Sequence, residues 1–198
     1  MGTIAELDQE IRLNPNDPKL YNSRGRAYAE EGNNDKAIAD FTKAVELDPN
    51  NDFRYYNRGM MYFSMDDFEK AIIDFTKVAE IAPNDSEAVY LRGEAYKARK
   101  EYDLAIKDYN KAIDIDPNYA DAYLSRGTLY GLKSDDNQAV IDFETALRLG
   151  LDDQRVAIVK ELTEAALKRQ QAKKNLGGDY LTPKFIETVN KINQLIGC

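Results

Sequence analysis

The chain repeats itself every 34 residues. Gly25, Gly59, Gly93 and Gly127 stand at that interval, and so do Pro15, Pro49, Pro83 and Pro117. Around each glycine one pattern returns: Y-N-S-R-G-R-A-Y at 21–28, Y-Y-N-R-G-M-M-Y at 55–62, V-Y-L-R-G-E-A-Y at 89–96 and Y-L-S-R-G-T-L-Y at 123–130. A second pattern, A-I-A-D-F-T-K-A-V-E-L-D-P at 37–49, returns at 71–83, 105–117 and 139–151. A fixed period of this length restricts the chain to a stack of like units. No unit can bury its apolar face alone, and each neighbour completes the one before it.

Both patterns have helical spacing. Tyr21, Gly25 and Tyr28 fall at i, i+4 and i+7, and Ala37, Phe41, Ala44 and Val45 share one face of a second segment. Glycine inside a helix costs about 1 kcal/mol relative to alanine. Four glycines at one repeat position therefore imply close helix packing. Ala37, Ala71, Ala105 and Ala139 are the expected small partners, bringing the two helices toward the short end of the usual range of about 8–10 Å. The prolines end each second helix. Asn50, Asn51, Asp52, Asn84 and Asp85 then offer turn and capping oxygens to the next helix.

With these residues in place the chain resembles the tetratricopeptide repeat (TPR) family, whose unit has a glycine, a tyrosine, an alanine, a later aromatic and a proline at fixed places. The matches are Gly25, Tyr28, Ala37 and Phe41; Gly59, Tyr62, Ala71 and Phe75; Gly93, Tyr96, Ala105 and Tyr109; Gly127, Tyr130, Ala139 and Phe143. The resemblance implies an all-α, right-handed superhelical solenoid of antiparallel helix pairs. It divides the chain into an N-terminal half-repeat (1–17), four full repeats (18–51, 52–85, 86–119, 120–153) and a C-terminal capping segment (154–198). Two departures stand out. Arg24, Arg58, Arg92 and Arg126 replace the family's leucine before the glycine, and Asp40, Asp74, Asp108 and Asp142 follow 16 residues later. An arginine–aspartate pair is expected in each repeat, joining helix to helix; if exposed it contributes only about 0–1 kcal/mol and serves to fix register. Leu151 replaces the fourth proline, which marks the end of the regular array.

Residues 153–174 predict one long helix carrying Val156, Val159, Leu162 and Ala166. Glu161 occupies the glycine position and Glu164 the tyrosine position, so the segment reads as a cap. Gly177 and Gly178 break it. Thr182-Pro183 starts an amphipathic helix over 182–196 with Phe185, Val189, Ile192 and Ile196 in one stripe.

The composition excludes several functions. There is no histidine, and the single cysteine is Cys198, so the usual nucleophile–base pairs are missing and no catalysis is expected. No phosphate-cradling glycine loop occurs. The acidic turns lack the ligand spacing of a calcium loop, so neither metal nor cofactor is expected. A net charge of −8 argues against binding a nucleic-acid backbone. No apolar run is long enough to span a membrane, and the N-terminus lacks a basic start and an apolar stretch. The cytoplasm is the default expectation.

The resemblance also implies where a partner would bind. The first helix of each family unit lines the concave surface. Carried over, its positions give Lys19, Asn22 and Arg26; Phe53, Tyr56, Asn57, Met60 and Phe63; Glu87, Tyr90, Leu91, Glu94 and Lys97; and Leu124 and Thr128. The expected function is a scaffold that takes a peptide or helix of a partner protein in this groove. The alternative is a self-assembling or self-occluded module in which the 182–196 helix docks into its own or a neighbouring chain. Some family members grip acidic chaperone tails with a clamp of Lys, Asn and Arg. Of the corresponding residues here only Asn57 matches, and Glu87 sets like charge against a carboxylate, so chaperone-tail binding is not expected.

Overall fold

The computed structural model describes residues 2–176 and Glu187. The segment expected as the 182–196 helix therefore lies, Glu187 apart, outside the described residues. All regular structure among them is α-helical: α1 (Ile4–Leu13), α2 (Pro18–Glu30), α3 (Asn34–Leu47), α4 (Asp52–Ser64), α5 (Phe68–Ile81), α6 (Ser86–Ala98), α7 (Tyr102–Ile115), α8 (Ala120–Leu132), α9 (Asp136–Leu149) and α10 (Asp153–Leu176). The chain divides within α6 into two compact units, 1–95 and 96–198. In the first, α2 pairs with α3 and α4 with α5, while α1 packs on α2 and α3 on α4. In the second, α8 pairs with α9, with α7 against α8 and α10 against α9.

Proline sets where the second helices end. The C-caps Asn14, Asp48, Ala82 and Asp116 each precede a proline and leave the helical region, with ψ between 68° and 96°. The clash of the proline ring with the preceding residue excludes the helical conformation there. Without that proline, α9 stops at Gly150, whose φ is +95°. The next first helices then start on different caps. Asp17 accepts from the Lys19 amide at 2.9 Å and Asp85 from the Ala88 amide at 3.0 Å, whereas Asn51 makes no side-chain capping bond.

The turn inside each hairpin has a feature that no residue pattern announced. Gly32, Asp66, Lys100 and Ser134, again 34 apart, all have φ between 60° and 74°. The following amide donates back to a tyrosine carbonyl: Asn33 to Tyr28, Asp67 to Tyr62, Glu101 to Tyr96 and Asp135 to Tyr130, at 2.8–2.9 Å. This left-handed closure satisfies carbonyls that the helix end would otherwise strand.

The recurrence of glycine is explained by an aromatic ring more than by a methyl group. A Cβ built on Gly25 would lie 2.9 Å from the Phe41 ring, with the Ala37 carbonyl oxygen at 3.2 Å. On Gly59 it would meet Phe75 at 3.0 Å, and on Gly127 it would meet Phe143 at 2.9 Å. The expected approach of glycine to alanine is seen at Gly25, whose nearest neighbours are nevertheless atoms of the Phe41 ring. The alanines line the fully buried core beside the ring, and the glycine makes room for the ring itself.

Three of the expected arginine–aspartate pairs are seen, and their carboxylates are buried rather than exposed. Arg24, Arg58 and Arg126 each bind Asp40, Asp74 and Asp142 through both Nε and Nη2 at 2.7–2.8 Å. The three carboxylates are 8, 2 and 1 % exposed. Tyrosines three residues before and four after each arginine lie 5.4–6.0 Å from its guanidinium carbon. They shield the pair from water. The remaining Nη1 reaches the preceding second helix: Arg24 to Asp8 (2.6 Å), Arg58 to Thr42 (3.4 Å), Arg92 to Thr76 (3.2 Å) and Arg126 to Asn110 (2.5 Å). One guanidinium therefore ties a hairpin shut and fastens it to the helix before.

Candidate partner-binding face

In residues 1–95 the first helices α2, α4 and α6 stand side by side, linked by side chains on one face. Asn57 Nδ2 on α4 donates to Asn22 Oδ1 on α2 at 2.9 Å, and the Tyr56 hydroxyl on α4 donates to Glu87 Oε1 on α6 at 2.8 Å. Burial and the adjacent carboxylate push the Tyr56 hydroxyl well above the ordinary tyrosine pKa. Its ring meets Phe75 edge-on at 6.4 Å. Phe63 is held in the same way against Phe68 at 5.3 Å. These contacts fix Tyr56 and Phe63 in place, so the face is presented on rigid elements.

Phe53, Tyr56, Met60 and Phe63 recur at i, i+3, i+7 and i+10 along α4 and so share a side of that helix. Phe53 is 50 % exposed and Met60 37 %, although the helix already buries Gly59 and Met61 in the core. Arg26 on α2 is exposed as well; Tyr56, Asn57, Phe63 and Leu91 are half-buried. Asn22, Tyr90 and Glu94, also expected in the groove, are buried, and Asn22 accepts from Asn57.

The sequence-derived site does not extend intact into residues 96–198. Lys97 is 8 % exposed, Thr128 1 % and Leu124 not at all. Leu124 belongs to a core with Ala139, Phe143, Ala146, Val159 and Leu162, the last two supplied by α10. The Thr128 hydroxyl is spent on the Leu124 carbonyl at 2.8 Å. Both side chains, expected in the groove, are interior in this structure, Leu124 because α10 packs over it. The same helix carries a cluster that sequence reasoning missed. Arg169, 2 % exposed, meets Asp136 at 2.5 Å, and Lys173 reaches Asp136 at 3.2 Å and the Ser134 carbonyl at 2.6 Å. Burial lowers the Arg169 pKa against the pull of Asp136. The i, i+4 spacing of two cations on α10 was the available signal, but nothing in the pattern pointed to Asp136.

A separate hollow of about 380 Å³ lies on the other side of α4, lined by Tyr55, Arg58, Ile72, Ile73, Lys77 and Glu80; Ile73 is 62 % exposed. Among the described residues no cluster of three or more His, Cys, Asp or Glu side chains could hold a metal ion. No described helix is long and apolar enough to cross a membrane.

Residues 18–51 and 54–85 match a sequence profile described as tetratricopeptide repeat, and residues 93–134 match one described as TPR repeat. No curated protein sequence matches the chain. Among solved structures, that of MamA is 29 % identical with a TM-score of 0.70, over 74 % of this chain and 85 % of that one. YrrB, a TPR protein with an unusual peptide-binding site, aligns over 96 % and 91 % at a TM-score of 0.70; at 17 % identity it speaks for the fold alone. The first TPR of Spaghetti (RPAP3), solved bound to the HSP90 peptide SRMEEVD, is 26 % identical with a TM-score of 0.56, over 59 % of this chain and 93 % of that one.

Proposed function

Since the chain belongs to the tetratricopeptide repeat family, we propose that it is a protein–protein interaction scaffold that holds a peptide or helix of a partner protein against the face of α2, α4 and α6. The observation that carries this reading is the aromatic and methionine stripe of α4, half-open to water on a helix whose core face is already filled. Apolar side chains displayed in a row on a rigid framework suit the anchors of an extended or helical peptide. Methionine adds a surface that adapts to the shape of what it meets. The proposed site leaves out the buried Asn22, Tyr90, Glu94, Lys97, Leu124 and Thr128 and consists of Arg26, Phe53, Tyr56, Asn57, Met60, Phe63 and Leu91.

The relative bound to SRMEEVD takes a peptide with an acidic end. Here Glu87 sits on this face with its carboxylate fixed by Tyr56, and Leu91 stands where the clamp would place a cation. The SRMEEVD peptide is therefore expected to bind this chain more weakly than about 1 mM.

Selection from a phage-displayed library of random peptides tests the reading, followed by titration of the selected peptides against the full chain. Peptides with two or more apolar anchors are expected to emerge, and Phe53→Ala with Met60→Ala to weaken them at least about tenfold. Failure to select any peptide, or equal affinity for the double variant, would overturn it.

A further inference from the structure

The face just proposed carries an ordered change of charge. Its α2 positions contribute the exposed cations Lys19 and Arg26, with Glu30 beyond them at the helix end. The α4 positions, Phe53, Tyr56, Asn57 and Met60 among them, are uncharged. The α6 positions within residues 1–95 contribute Glu87, exposed, and Glu94, buried. The three helices are neighbours in that order, as the Asn57–Asn22 and Tyr56–Glu87 bonds establish. Cation, apolar stripe and anion thus follow one another across a single face. The Glu87 carboxylate is oriented by the Tyr56 hydroxyl one helical turn from exposed Phe53, so its charge lies beside the apolar anchor site.

Resting on the scaffold reading, we infer that the occupant of this face is a dipolar peptide: an apolar centre seated on α4, an acidic flank meeting Lys19 and Arg26, and a basic flank meeting Glu87. A uniformly acidic peptide places like charge against Glu87, and a uniformly basic one does so against Arg26. Only the dipolar order satisfies both edges, and the order fixes the direction in which the peptide lies.

The test uses four synthetic 12-residue peptides with the same apolar centre. Two carry paired glutamates on one flank and paired lysines on the other, in the two opposite orders; one is flanked by lysines only and one by glutamates only. Titrated against the full chain at low salt, one dipolar order is expected to bind about fivefold more tightly than the opposite order and than either uniform peptide. Arg26→Glu combined with Glu87→Lys should invert the preferred order. Glu87→Gln, which keeps an acceptor for Tyr56, should reduce the preference without abolishing binding. If all four peptides bind alike and Phe53→Ala with Met60→Ala still removes binding, the dipolar inference fails and the scaffold reading stands. If a uniform peptide binds tightest, the inference fails in the same way. If no peptide responds to the Phe53 and Met60 changes, the scaffold reading falls and takes this inference with it.

Discussion

At the scale of single residues, most of what binds helix to helix converges on one buried guanidinium. The pair between Arg58 and Asp74 is bidentate, and its carboxylate is 2 % exposed between two helices. Removing one partner strands the other charge, which typically costs about 3–5 kcal/mol, well above the value of a surface pair. Asp74→Ala should therefore lower the unfolding free energy by about 3 kcal/mol in urea titration, and a loss below about 1 kcal/mol would contradict the buried reading. The glycine column makes a second demand. Gly59→Ala gains about 1 kcal/mol of helix propensity but drives a methyl into Phe75 and the Asp74 Cβ at 3.0–3.2 Å. Overpacking of this kind costs about 1–3 kcal/mol, so the variant should be the less stable one. The third concerns Lys100, a long side chain held at φ +63°. Lys100→Gly should raise stability by about 1 kcal/mol, since glycine takes that conformation without strain. Of these sites, recurrence made the arginine and aspartate legible as a pair. Their burial was not legible, because spacing does not reveal that Tyr55 and Tyr62 close over the guanidinium. Nor was the left-handed turn, whose four positions hold Gly32, Asp66, Lys100 and Ser134 and so share no residue type.

At the scale of helices, ends and extensions carry the distinctive chemistry. Glu6, Asp67 and Asp152 lie at or beside helix N-termini, and each has a pKa below its ordinary value. The first cause is the Thr3 amide for Glu6, the Lys70 ammonium for Asp67 and the Arg155 amide for Asp152. A carboxylate whose folded pKa is depressed stabilises the fold above its unfolded pKa, and that contribution disappears as pH falls through the folded one. Asp142 opposes them: burial raises its pKa, so its ionisation costs stability that acid relieves. Three caps against one buried group predict a melting midpoint that drops once pH falls below about 4; a midpoint that is flat or rises there would contradict the assignment. The extension of α10 is a separate case. Its first turns are held by Val159, Leu162 and Ala166, all fully buried, whereas beyond Ala166 the attachments include Arg169 and Lys173 on Asp136 and Lys173 on the Ser134 carbonyl, with Leu167 45 % exposed. Asp136→Ala should speed amide exchange in 167–176 at least about a hundredfold and leave 156–166 nearly unchanged. Uniform protection along α10 would show that apolar packing holds the helix throughout. The existence of this helix was plain from its spacing. Its anchorage was not, because the acidic partner sits 33 residues earlier in a position where the other repeats have Asn34, Phe68 and Tyr102.

At the scale of the whole chain, period alone was enough to reach the repeat fold, since four copies of one register leave few ways to pack. The binding face was only partly legible. Carrying family positions forward treats every repeat as if another followed it, and so it placed Leu124 and Thr128 in a groove although α10 completes a core over Leu124. In residues 1–95, where α2, α4 and α6 follow in series, the same carry-over found Phe53 and Met60 exposed beside a braced Tyr56, but it also took in Asn22, Tyr90 and Glu94, which are buried. The account rests on that stripe being the surface a partner covers. The most direct measurement is a methyl- and aromatic-selective NMR titration of the full chain with a selected peptide. The largest shifts should fall on the Met60 methyl and the Phe53 and Tyr56 rings, with Ile73, Ile141 and Leu104 unmoved. Shifts centred instead on Ile73 and the hollow between α4 and α5, or confined to residues 96–176, would contradict it.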